Sequence, residues 1–283
     1  MQNKKVARVL LAVILAVATV CSIGCESTSD NRVQKHIIPT GSMILPDSDT
    51  TLRPTSAITP QLNTPTPTEA VTPGEPEPVR RVSRKGYTIE QIAEYFDEVA
   101  LNAEYGSSDH RVHKWNSPII LCVKGAPTTQ DRLVLQTILW KMNAVYGFPG
   151  IRETISEAEA NLVITFADDN EYAQLTPSNI DDLTDGFATC WWQNSVIYKA
   201  DIGIRCSISQ NERNSVIWEE MIQATGLQND SYRYPDSLFY QGYNEVQEPT
   251  TLDWILFELL YHPDMSAGLS RPEAIMTSTL LLE

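Results

Sequence analysis

Nine of the chain's 17 prolines fall between Glu26 and Lys85, in a stretch otherwise rich in Thr, Ser and other polar residues. Thr64-Pro65-Thr66-Pro67-Thr68 and Pro73-Gly74-Glu75-Pro76-Glu77-Pro78 lie at its centre. Each proline fixes φ and removes a backbone donor, and few apolar groups are at hand to offset the entropy of ordering. Residues 26–85 therefore read as an extended, solvated tether, for which a plain spacer fits better than a glycosylated stalk. Whatever folds must come from the 198 residues that follow, Gly86 to Glu283. That length can bury an adequate core without disulfide staples, and Cys122, Cys190 and Cys206 are an odd set, so no disulfide framework is expected.

Ahead of the tether, Lys4, Lys5 and Arg8 precede an apolar run, Val9 to Gly24, which ends in small residues before Cys25. Charge followed by an apolar run is the order of an export signal. Ser22-Ile23-Gly24-Cys25 resembles a bacterial lipobox, with Ser22 standing where a leucine is usual. The resemblance implies that residues 1–25 are a lipoprotein-type signal peptide and that Cys25 is lipidated. An uncleaved anchor or an ordinary cleaved signal are the alternatives. All three place the mature protein outside the cytoplasm, and several acyl chains on Cys25 would hold it at a bacterial cell membrane or surface.

From Gly86 onward the chain carries 29 acidic and 11 basic residues. Phosphate backbones need a basic face, so this balance argues against nucleic acid as a partner. The apolar periodicity predicts helices over Ile89 to Tyr105, from Thr128-x-x-Asp131 towards Gly147, over Asn211 to Thr225, and over Leu252 to Tyr261. Strands are predicted at Pro118 to Lys124 and at Leu162 to Phe166. Phe187 to Trp192 and Ser195 to Ile204 flank Gln193-Asn194 as a hairpin, in which one of Trp191 and Trp192 must face inward. The fold class is α+β, with a small twisted mixed sheet packed with helices.

Trp218-Glu219-Glu220-Met221-Ile222-Gln223-Ala224-Thr225-Gly226-Leu227-Gln228-Asn229-Asp230 is the most informative stretch. Glu219 and Gln223, four apart, share a helix face, and Gly226 lets the chain turn so that Asn229 or Asp230 can approach it. The spacing resembles the active helix of zincin metallopeptidases. There two histidines four apart bind zinc, a glutamate after the first is general base, and a glycine turn delivers a third ligand. A closer resemblance is carried by Glu219-Glu220-x-x-Gln223-x-x-Gly226-Leu227-x-Asn229-Asp230-Ser231, Asp236-Ser237-Leu238-Phe239, and Leu259-Leu260-Tyr261 with Pro263 and Gly268. Together with Trp115 and Ala160-Asn161-Leu162, these are similar to the bacterial exported family named domain of unknown function 2927, from about Tyr87 to Leu269. The resemblance implies a zincin-like domain and brings no established reaction.

The chemistry departs from an active zincin. Zinc favours imidazole and thiolate, whereas Glu219 and Gln223 offer a carboxylate and a weak neutral amide. Glu220 holds the general-base position, but a base without a metal to acidify its water loses most of its purpose. An oxygen set of Glu219, Gln223 and Asp230 suits at most a weakly held hard ion such as calcium, and no cofactor is expected. The expectation is a degenerate, non-catalytic binding or structural module. Its cleft, lined by Glu219, Glu220, Gln223, Asp230 and Asp236, would prefer a basic peptide, a protein or a glycan. The alternative is an unconventional metal-dependent peptidase or hydrolase using Glu220. His110 and His113 read as surface residues, His262 as a helix-closing residue, and Ser231 and Ser237 lack the strand-to-helix elbow of a serine hydrolase. The tyrosines at 232, 234, 240 and 243 offer a sugar- or peptide-binding surface.

Overall fold

The computed structural model describes residues 80–102, 108–178, 180, 184–242 and 246–283. The signal segment, Cys25, the tether as far as residue 79, Tyr105 and Tyr243 lie outside the described residues. In chain order the elements are α1 (Ile89–Ala100), β1 (Lys114–Trp115), β2 (Ile119–Gly125), α2 (Thr129–Asn143) and β3 (Ile151–Thr154). A short 3-10 turn, Glu157–Glu159, leads to β4 (Leu162–Ala167), α3 (Asp169–Leu175), β5 (Gly186–Gln193) and β6 (Val196–Arg205). The chain closes with α4 (Gln210–Gln223), α5 (Thr251–Tyr261) and α6 (Arg271–Leu282).

The strands form one mixed sheet. β3, β2, β4 and β6 lie side by side in parallel, and β1 runs parallel to the start of β6. β5 returns antiparallel along β6. The α+β expectation of a mixed sheet packed with helices therefore holds. Asn161 clips two of the strands together: its side chain accepts from the Ile120 amide at 2.7 Å and donates to the Pro118 carbonyl at 3.1 Å. Buried parallel strands read as near-continuous apolar runs, and β4, with Leu162, Ile164 and Phe166 fully enclosed, is one of these. Its residues join Leu121, Ile202 and Ile204 of the sheet, Phe96 of α1, Trp218 and Met221 of α4, and Leu256 and Leu260 of α5 in one apolar core.

Differences from the expected elements have local causes. α1 stops at Ala100, with Leu101 as a C-cap outside helical geometry. α2 stops at Asn143, and the bend expected at Gly147 falls in a separate turn, where φ is 81°. The hairpin turns on Asn194 and Ser195, one residue late, both with positive φ as a tight two-residue turn requires. β1 is two residues long, Arg152 and Glu153 make β3 polar, and in α3 Tyr172 is the buried residue, so none of these carries a readable apolar period. α6 also lacks a sequence counterpart, although Ser270 and Glu273 form a capping box at its start.

Neither Trp191 nor Trp192 faces inward, which corrects the expected alternation. The register steps from Trp191 opposite Lys199 to Trp192 opposite Ile197, so Tyr198 is an extra residue on β6 and the strand ceases to alternate there. Both indoles are exposed: Lys199 sits over the Trp191 ring at 4.4 Å, and the Trp192 and His113 rings lie 4.4 Å apart. The fold also begins before Gly86. Val82 is buried and its amide donates to the Leu281 carbonyl at 2.9 Å.

Candidate functional site

Helix α4 is fixed at both ends. Ser209 and Glu212 cap its first turn reciprocally. One turn later, buried Arg213 donates to Asp131 Oδ1 at 2.9 Å, while Asp131 Oδ2 accepts from the Thr128 amide at the start of α2. At the other end the Trp115 indole donates to the Ala224 carbonyl at 2.9 Å and the Tyr261 hydroxyl to the Thr225 carbonyl at 2.8 Å. Gly226 then turns with φ 120°, and a Cβ there would stand 2.1 Å from the His113 carbonyl, so no other residue fits.

Glu219, Glu220 and Gln223 all lie buried on this helix, as does Asp230 beyond it. Solvated helix positions, the ordinary fate of glutamates, are thereby excluded for Glu219 and Glu220. The fold brings Gln223 and Asp230 together, the amide donating to Asp230 Oδ1 at 3.1 Å. Asn229 is directed elsewhere. Its side chain donates to the Glu98 carbonyl at 2.9 Å and its backbone amide to the Val99 carbonyl at 3.1 Å, so that it caps the end of α1. Asp236 is exposed, and it is the neighbouring Ser237 that the fold buries.

Glu220 points to the first residue of β5. A Cβ on Gly186 would come within 2.7 Å of Glu220 Oε1, so the missing side chain at 186 makes the room in which this carboxylate lies. Its charge is felt nearby. Burial pushes the Tyr172 hydroxyl up to about 12, opposed by its bond to Thr184 and reinforced by Glu220. Burial likewise raises the Cys190 thiol to about 12, with Asp201 and Glu220 adding to the effect. Cys122, Cys190 and Cys206 are free thiols.

Two polar networks brace the segment after Asp230. Ser231 donates to Glu98 Oε2 at 2.6 Å, and the Arg233 guanidinium grips Glu98 Oε1 at 2.5 Å and Glu94 at 2.7 Å. Burial alone would raise the Glu98 carboxyl, but these donors hold it below its ordinary value. Deeper in, Tyr95 Oη lies 2.5 Å from Ser237 Oγ, which donates to Asp253 Oδ1 at 2.6 Å. Asp253 Oδ2 also accepts from the Leu238 amide, so a cap residue of α5 fastens the loop to the core. All three side chains are sealed from solvent, which places Ser237 in a structural network. The helix over Leu252 to Tyr261 was readable in the sequence; the attachment of Asp253 to Ser237 was not.

Of the histidines, His113 differs from expectation. His113 is buried, its Nε2 2.8 Å from Asp109 Oδ1, because the chain here passes under the α4 turn. His262 caps α5, as its position suggested, and its Nε2 bonds to the Arg80 carbonyl at 2.7 Å.

Zinc favours imidazole and thiolate, and Gln223 offers an amide whose NH2 donates to Asp230. Among the described residues no group of three or more His, Cys, Asp and Glu side chains is arranged to hold a metal ion. Against known proteins, residues 89–277 match the model of a family described as "Protein of unknown function (DUF2927)". No curated relative matches the chain.

Proposed function

The chain belongs to the DUF2927 family, and on that premise we propose that it is a cell-envelope lipoprotein held through Cys25, whose folded part is a degenerate zincin-like domain acting as a non-catalytic binding or structural module. The observation that carries this reading is the bond between Gln223 and Asp230: two groups at the proposed ligand positions bond to each other inside the protein. Parallel strands beside one antiparallel strand, followed by a helix bearing Glu219, Glu220 and Gln223, support the zincin-like part of it. The acidic character of the folded part favours a basic peptide, a protein or a glycan at the α4 face. Elemental analysis after exhaustive dialysis, combined with peptide cleavage by wild type and Glu220→Gln, tests the proposal. No stoichiometric metal and no cleavage that depends on Glu220 are expected. Stoichiometric zinc with activity lost in Glu220→Gln would instead establish the hydrolase.

A further inference from the structure

Beside an acidic fold, one cavity of about 500 Å³ is lined by Arg80, Arg81, Lys85 and Lys141, with Glu258 as its single carboxylate. It lies where the chain enters the fold, between residues 80–85, the end of α2 and the face of α5. Its walls are set in place by bonds to neighbouring elements, which engage two of the four cations. The Arg80 carbonyl accepts from His262, Arg81 donates to the Leu280 carbonyl, and Lys141 pairs with Glu248. The Arg80 guanidinium rests over the Tyr146 ring at 4.6 Å, and the Trp140 indole is 72% exposed.

We propose that this cavity binds an anionic saccharide, a sugar ring bearing a carboxylate or phosphate. Its volume is in the range of small-ligand sites, which run from about 300 to 1,000 Å³. The exposed Trp140 indole matches the C–H face of a sugar ring, and Arg80 and Lys85 offer charge-assisted donors to its anion. The concave wall distinguishes it from a flat surface for a bilayer, and the negative field of the surrounding protein opposes a long polyanion. Glu258 faces Lys85 and Arg80 across the cavity, and its charge works against the ligand.

Titration calorimetry of the full chain with tetragalacturonate, and with neutral cellotetraose as control, tests the site. Tetragalacturonate should bind, cellotetraose roughly ten-fold or more weakly. Lys85→Gln and Trp140→Ala, both at exposed positions, should each weaken binding without lowering Tm, and Glu258→Gln should tighten it. Glu220→Gln should leave it unchanged, which separates this site from the α4 face. Equal binding of the neutral sugar, no binding of tetragalacturonate, or indifference to Lys85→Gln and Trp140→Ala would overturn the proposal. So would binding to phosphatidylglycerol vesicles that is lost in Lys85→Gln while the saccharide is ignored.

Discussion

On the zincin-like reading proposed above, Gln223 offers an amide where an imidazole would have offered its nitrogen, and the difference can be reversed. Replacing both Glu219 and Gln223 by histidine places two imidazoles four apart on the fixed helix α4, with Asp230 already beside position 223. The double variant is expected to retain about one zinc per chain after dialysis, read by elemental analysis. No uptake by a folded double variant would count against the zincin-like reading. At this scale the sequence was a partial guide. The helical spacing of Glu219 and Gln223 and the turn at Gly226 follow from local rules, and both stand in the structure. Which of Asn229 and Asp230 turns back was undecided locally, because it depends on where α1 ends in space. The Tyr95, Ser237 and Asp253 network joins residues far apart in sequence, and no spacing could announce it.

Elements are held in register here by buried charges. Arg213 and Asp131 tie the start of α4 to the start of α2, with both side chains nearly sealed from solvent. Burial would raise the Asp131 carboxyl, yet donors from Arg213, Gln210 and Thr128 hold it below its ordinary value. Its contribution to stability is therefore complete above the unfolded carboxyl range and is lost as pH falls through the depressed folded value. Arg213→Met should cost about 3–5 kcal/mol in chemical denaturation, because Asp131 stays buried without its cation, and should move acid unfolding to higher pH. Lys114 behaves in the opposite sense. Its ammonium donates to the carbonyls of Leu260 and Met265 at the end of α5, and burial lowers its pKa from 10.5 to about 8. Between those values the unfolded chain binds the extra proton, so this group's contribution to stability rises with pH across that window. Denaturation curves on the alkaline side should show that rise in wild type and a flatter profile in Lys114→Met. Long apolar elements such as β4, α4 and α5 were legible because their periodicity is strong. β1, β3 and α3 were not, since short or polar segments become strands and helices only through the neighbours they meet.

Across the whole molecule, the first described residues are clasped by the last. Val82 bonds to Leu281, Arg80 to His262, Asp97 pairs with Arg271, and Arg111 bridges to Ser270. A chain starting at Gly86 should therefore melt roughly 5 °C below one starting at Val79, through loss of Val82 burial and of the bonds made by Arg80, Arg81 and Val82, as calorimetry can measure. The composition break near Lys85 located the domain only approximately, because a backbone can be docked without an apolar period to reveal it. The clasp also sets an order of events. A chain that emerges N-terminus first presents α1 long before α6 exists, and part of α1 stays uncovered until the final dozen residues arrive. Contacts of such high sequence separation make folding slow and leave the early apolar face uncovered during synthesis, so maturation of this protein should be sensitive to anything that shortens its last helix.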